Sequence, residues 1–127
     1  KAARLMRERK CGKIVNISSI AGRRASPGMG VYGIAKAGIE MLTKIMAMEL
    51  AAANIQVNAV APGMVRTEFS RPFWSNEGLC KMIVKDIPAG RIAETGDVVH
   101  PALFLCSAQA DYITGQTILV DGGSSVV

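Results

Sequence analysis

The chain has 127 residues, a formal charge of +5, half of its residues apolar, 20% charged and 5% aromatic. That is globular rather than disordered composition, one domain's worth at most, with no apolar run of membrane-span length and no signal-peptide pattern at its start. A single histidine, His100, and three cysteines without CxxC spacing, Cys11, Cys80 and Cys106, argue against a metal site and suit a reducing, cytoplasmic setting.

The opening stretch "KAARLMRERKCGK" carries six bases against Glu8, so the whole excess of charge lies in residues 1–13. No aromatic residue stands among them, which favours a solvated helix face over a nucleic-acid footprint. Residues 1–10 read as the last turns of a helix. The first residue is lysine and no N-cap precedes the helix, so the chain is expected to be part of a longer protein. A strand is expected over 13–18, "KIVNIS". A loop with Gly22, Pro27, Gly28 and Gly30 follows, and then a long helix over 31–53. A second strand covers 55–61, "IQVNAVA", and stops at Pro62-Gly63. Residues 64–90 form a long excursion with a short helix near 76–86. A helix near 96–108 and a strand over 116–120, closed by "DGG", complete the chain. Pro101 removes a backbone donor inside the penultimate helix, so a kink or a start near 99 is expected there, with His100 structural or exposed. Short Val/Ile-rich strands alternating with helices predict an α/β fold with a parallel sheet covered on both faces.

On a helical wheel, Ala35, Ile39, Leu42, Met46 and Leu50 of the long helix form one stripe, expected to face the sheet. Met41, Ile45, Met48 and Ala52 form a second. Glu40, Thr43 and Lys44 fall on the remaining side. The two stripes span about 200° where one sheet needs about 100°, so the second stripe predicts a contact with another subunit.

The helix begins with "YGIAKAG". Tyr32 and Lys36, at i and i+4, share a face. A free phenol ionises near pH 10, and a neighbouring ammonium favours the phenolate. A phenol so placed can protonate a carbonyl oxygen or deprotonate an alcohol. Gly33, Ala35 and Ala37 leave room for a bulky ligand. Taken alone, the five residues read more readily as a bland i,i+4 pair. Ser19, thirteen residues earlier at the end of a strand, and Pro62-Gly63, at the end of the next, add polar groups and exposed backbone to one rim, where open α/β sheets bind ligands.

With "GKIVNISSIAG", "YGIAKAGIEMLTKIMAMEL", "IQVNAVAPGMVRTE" and "YITGQTILVDGG" in this order and spacing, the sequence resembles the short-chain dehydrogenase/reductase family from about residue 1 to residue 123. The resemblance implies a Rossmann-type doubly wound sheet and hydride transfer between NAD or NADP and an alcohol–carbonyl pair. It implies that Tyr32 is the general acid/base, that Lys36 tunes it and holds the nicotinamide ribose, and that Ser19 binds the substrate oxygen, with Ser18 its neighbour. Pro62, Gly63, Val65 and Thr67 resemble the segment lining the nicotinamide, with Val65 backbone on the carboxamide. Asn58 resembles a structural asparagine. Asp121, Gly122 and Gly123 resemble a closing turn near a subunit contact. Members commonly form dimers or tetramers through the long helix.

The family's Gly-rich pyrophosphate turn and the residue that selects NAD or NADP are not in this sequence. The chain is therefore expected to be the C-terminal half of a member, three strands with their covering helices, and not to be stable alone. The segment "FSRPFWSNEG…IPAGR" is similar to members that act on sugar acids, gluconate 5-dehydrogenase among them, and is compatible with 3-oxoacyl-carrier-protein reductases. Within it Arg66, Phe69, Phe73 and Trp74 are candidate substrate contacts, Arg71 a further cation. Loop aromatics packed on the domain, with arginines in water, are an equal reading. An inactive remnant that folds only with a partner is a further alternative.

Overall fold

A computed structural model describes residues 1–127. Three parallel strands lie in chain order, β1 (Gly12–Ile17), β2 (Ile55–Pro62) and β3 (Thr117–Val120). In register, Ile14 stands beside Val57 and Val15 beside Asn58, while Ala59 stands beside Thr117. Side chains alternate between the two faces of the sheet. Ile14, Ile55 and Val57 face α1 (Ala2–Arg9) and α2 (Gly30–Leu50), packing with Ala3, Met6, Ala47 and Leu50. Val15, Val60 and Ile118 face α5 (Thr95–Cys106), packing with Val98, Ala102 and Leu105. Helices therefore cover both faces, as the sequence predicts for a Rossmann-type fold. Between β2 and α5 the excursion carries two helices, α3 (Arg71–Trp74) and α4 (Glu77–Lys85). The one-turn α3 was not expected.

The orientation of α2 corrects the wheel reading. Leu50 is buried as expected, but Leu42 is 49% exposed and Ala35 is exposed too. The buried residues are Glu40, Thr43, Ala47 and Leu50. Polar residues reach the inside because each finds a partner there. Thr43 Oγ1 donates to the Ile39 carbonyl at 2.8 Å and accepts from Asn16 Nδ2 at 2.9 Å. Glu40 is held by Ser18 and Arg23. A buried polar group costs little once its hydrogen bonds are made. The second apolar stripe does face outward: Met41, Ile45 and Met48 are 56%, 45% and 83% exposed, joined by Ile34 at 74%.

Of the two outcomes expected at Pro101, the late start near 99 is not the one found. The helix starts at Thr95, so the proline lies in its interior. The start is fixed by a capping box, in which the Glu94 side chain accepts from the Asp97 amide and the Asp97 carboxylate accepts from the Glu94 amide. Arg91 grips the same carboxylate with two bonds, at 2.6 and 2.9 Å. The charge-assisted bond from Arg91, followed by the Glu94 amide, holds Asp97 far below the usual carboxylate range. His100 is exposed on this helix.

Buried Asn58 staples β2 to the loop before β3. Its Nδ2 donates to the Ile113 carbonyl at 2.7 Å and its Oδ1 accepts from the Gln116 amide at 3.0 Å. The basic α1 lies on the surface, with only Ala3 and Met6 drawn toward the core.

Candidate active site

All three strands run the same way, so their carboxyl ends deliver Ser18-Ser19, Pro62-Gly63 and Asp121 to one edge. The turn after β1 is pressed against the start of α2 with no room for side chains between. A Cβ on Gly22 would lie 2.8 Å from the backbone of Lys36 and Ala37, and a Cβ on Gly33 would lie 2.7 Å from the Ala21 carbonyl oxygen. These contacts bracket Ser19 against the first turns of α2, where Tyr32 and Lys36 stand.

Ser19 opens a single 3-10 turn at Ile20–Gly22, and its Oγ accepts the Ala21 amide at 3.2 Å. Its hydroxyl proton is committed to no group of the chain. Lys36 Nζ donates to the Ile17 carbonyl at 3.0 Å and lies 5.5 Å from the centre of the Tyr32 ring. That single bond leaves two ammonium donors free. Tyr32 is 40% exposed and its hydroxyl has no partner in the chain. Serine, tyrosine and lysine thus meet at one corner with donors and acceptors left over.

The second strand end is as tightly built. The Gly63 amide donates to the Val120 carbonyl at 3.0 Å, and a Cβ on Gly63 would meet Asp121 Cα at 3.0 Å. Asp121 closes the neighbouring turn, its carboxylate accepting the Gly123 and Ser125 amides. Burial pushes its pKa up, but the Ser125 hydroxyl and these amides more than offset it, so the carboxyl stays below its usual value. Gly122 and Gly123 take φ of 63° and 89°, the left-handed region that glycine enters without strain. Past Gly63, Val65 bridges to Ala93; the Arg66 amide donates to Ala93 and the Ala93 amide to Met64. The Val65 amide itself donates to nothing in the chain. Thr67 is fixed through Ser70, whose hydroxyl also reaches the Val65 carbonyl.

The aromatic segment gathers on itself. Trp74 Nε1 donates to the Thr67 carbonyl at 3.0 Å, and the Arg66 guanidinium lies 5.4 Å from the Trp74 ring centre and 3.5 Å from Glu94. Phe73 is half-buried, Phe69 is 86% exposed, and Arg71 pairs with Glu68. No hydrogen bond or ring contact joins this group to Ser19, Tyr32 or Lys36. Two cavities of ≈ 370 and ≈ 350 Å³ flank the corner without including those three residues, one between residues 87–97 and the end of β3, the other along 21–37.

Two arginines at this corner were not singled out from the sequence, and Ser18 was named only as the neighbour of Ser19. Ser18 is 2% exposed, and its hydroxyl lies 2.9 Å from the Lys36 carbonyl and 3.2 Å from Glu40 Oε1. Arg23 Nε donates to Glu40 Oε2 at 2.7 Å, and Arg24 donates to the Ser124 carbonyl at 2.6 Å. The last bond ties the serine turn to the Asp121 turn. Nothing in the pattern of charges announced the Arg23–Glu40 pair across 17 positions.

Comparison with known proteins decides the family. The profile of a family described as enoyl-(acyl carrier protein) reductase matches residues 1–125. The human protein named dehydrogenase/reductase SDR family member 4 is 40% identical over 119 residues, which is 94% of this chain and 43% of that protein. The chain belongs to the short-chain dehydrogenase/reductase family. The 3-oxoacyl-(acyl-carrier-protein) reductase of Chlamydia muridarum is 43% identical over 94% of this chain and 48% of its own. The structure of a gluconate 5-dehydrogenase from Burkholderia cenocepacia, in complex with NADP and tartrate, superimposes with a TM-score of 0.95 at 38% identity, covering 98% of this chain and 49% of that one. The chain spans about half the length of the relatives it matches.

Proposed function

We propose that this chain is the catalytic, C-terminal half of an oxidoreductase that moves a hydride between a nicotinamide cofactor, NAD or NADP, and an alcohol–carbonyl substrate. The observation that carries the reading is the corner itself: a phenol, an ammonium and a serine hydroxyl on backbone locked by Gly22 and Gly33, each with unspent hydrogen-bonding capacity. Tyr32 gives a proton to the carbonyl oxygen in reduction and takes it back in oxidation. Ser19 donates its free hydroxyl proton to the same substrate oxygen. Lys36 lends its charge to the phenol and its two spare donors to ribose hydroxyls.

The residues fit a nicotinamide. The unpaired Val65 amide suits a carboxamide oxygen, and Pro62-Gly63 presents a wall without side-chain bulk. Thr67 stands beyond it. The cofactor, when bound, supplies or accepts the hydride; the residues here orient the substrate and handle its proton.

For the substrate, a small hydroxy or keto acid such as a sugar acid is our first reading. The structural likeness to a gluconate 5-dehydrogenase bound to tartrate supports it, as does a cation, Arg66, set beside Trp74 in the segment with Phe69 and Phe73. The 43% identity to a 3-oxoacyl-(acyl-carrier-protein) reductase supports the second reading, a 3-oxoacyl thioester. The outward Ile34–Met41–Ile45–Met48 stripe supports a two-fold pairing of α2 with its copy, as a homodimer or within a homotetramer.

The test uses the natural-length protein. Nicotinamide absorbance is followed with gluconate and with a 3-oxoacyl thioester, using each cofactor. Tyr32→Phe is expected to lower kcat by about 10²-fold or more while cofactor affinity stays within about threefold. Turnover within tenfold of the parent would remove Tyr32 from the acid/base role.

A further inference from the structure

We infer that Glu40 is a positioning residue: it clamps both ends of the turn bearing Ser19 to the helix bearing Tyr32 and Lys36. The inference rests on the catalytic reading above and assigns the distance-setting of that site to a group outside it.

Glu40 lies one turn beyond Lys36 on α2, and its side chain is 11% exposed. Its two carboxylate oxygens are divided between the two ends of one turn. Oε1 accepts from Ser18 at 3.2 Å, immediately before Ser19; Oε2 accepts from Arg23 Nε at 2.7 Å, four residues after it. The Ser18 hydroxyl has one proton and two acceptors in reach, Glu40 Oε1 and the Lys36 carbonyl. It therefore binds the turn to the helix at the residue that carries the ammonium. Between these ends the backbone contacts of Gly22 and Gly33 set how closely the turn approaches. The glycines permit closeness but do not enforce it. The carboxylate supplies the pull.

Stability alone does not call for a carboxylate here. Burying an ion pair costs desolvation that its attraction roughly repays, and an apolar side chain of similar volume serves a core as well or better. What Leu cannot do is hold Ser18 and Arg23 at once. The Ser19 side chain has only one bond within the chain, accepted from the Ala21 amide, so its aim depends on the turn. Misplacement of a catalytic group by about 1 Å can cost about 10²-fold in rate.

The experiment is a double-mutant cycle in the natural-length protein, with amide hydrogen exchange over residues 18–24 as a second readout. Glu40→Leu is expected to lower kcat about tenfold or more with KM and cofactor affinity within about threefold of the parent. Exchange of the turn should quicken by a similar factor. Glu40→Gln, whose Oε1 can accept from Arg23 while its Nε2 donates to the Ser18 Oγ and the Ser18 proton goes to the Lys36 carbonyl, should recover most of both losses. In a Ser19→Ala background, Glu40→Leu should change kcat by less than about twofold, because the two residues act through one path. Arg23→Met, at a half-exposed position, reads the same clamp if Glu40→Leu does not fold. Equal losses with and without Ser19, or unchanged exchange in Glu40→Leu and Arg23→Met, would overturn the inference and leave the catalytic reading standing. Full turnover in Ser19→Ala would instead sink the serine's role, and the clamp's catalytic reach with it.

Discussion

Gly33→Ala sets two effects of known size against each other. Gly33 lies inside α2 with an ordinary helical φ, so alanine gains helix propensity, about 1 kcal/mol. The new Cβ, however, sits 2.7 Å from the Ala21 carbonyl oxygen. That is about 0.6 Å inside the closest usual C···O contact of about 3.3 Å. The obstacle is backbone and cannot swing aside, so the cost is that of overpacking, about 1–3 kcal/mol. The clash should win, giving a net destabilisation of up to about 2 kcal/mol. Relief requires the turn at 20–22 to lift off the helix, which carries Ser19 away from Tyr32. Turnover should therefore fall further than stability alone explains, about tenfold or more at a temperature where the variant is fully folded. Gly96→Ala is the control: it is also helical, and its nearest neighbour, His100 Cε1, lies at an ordinary 3.8 Å. It should gain up to about 1 kcal/mol with unchanged turnover. Urea midpoints at constant slope give the stabilities, and initial rates give kcat. If Gly33→Ala matched Gly96→Ala in both, the turn would not be packed on α2 as described.

Asn58→Ala should cost about 2–4 kcal/mol, because the Ile113 carbonyl and the Gln116 amide lose their buried partner; a urea-midpoint shift worth less than about 1 kcal/mol would show the staple to be dispensable. The depressed Asp97 carboxyl contributes stability that is present above its unfolded value of about 4 and is lost as pH falls below it. Exchange at the amides of 94–98 should therefore quicken on acidification relative to the rest of α5, and Asp97→Asn should flatten that dependence; an unchanged profile would refute the capping role. Ile45→Glu should shift the natural-length protein toward monomer, read by light scattering at matched concentration, since it sets a charge in the middle of an apolar stripe; unchanged mass with fold retained would place the interface elsewhere.

The strands were legible because "KIVNIS", "IQVNAVA" and "QTILV" are short runs rich in Val and Ile, the last two closed by Pro-Gly and Asp-Gly-Gly. The corner was legible because Tyr32 and Lys36 are neighbours on one helix, a relation the 3.6-residue period fixes without tertiary knowledge. The inward face of α2 was not. A wheel weighted by hydrophobicity sends Leu42 inside and Glu40 and Thr43 outside. The fold does the reverse, because Asn16, Ser18 and Arg23 wait under the helix. Those partners lie 17 to 27 positions away, and no local pattern couples them. The late start expected from Pro101 failed for a related reason: the start is set by Glu94, Asp97 and Arg91, through a capping box with a doubly gripped carboxylate.

The corrected face of α2 also explains how one helix can both build the core and carry the two residues proposed for the chemistry. Tyr32, Lys36, Glu40, Thr43, Ala47 and Leu50 follow one another at intervals of three or four, so they form a single stripe. Its far end, Ala47 and Leu50, rests on Ile55 and Val57 of the sheet. Its middle, Thr43 and Glu40, meets Asn16 near the end of β1 and the turn just beyond it. At its near end, Lys36 and Tyr32, the only side-chain hydrogen bond to the chain is the one from Lys36 to the carbonyl of Ile17, the last residue of β1. The stripe turns from apolar to polar where the sheet stops, so the packing that orients the helix also aims the phenol over the rim. The outward stripe of Ile34, Met41, Ile45 and Met48 is centred about 150° around the axis from it, on the other side of the helix. That stripe is the side of α2 turned away from the sheet and the serine turn, so the residues that orient the helix and those left exposed do not overlap.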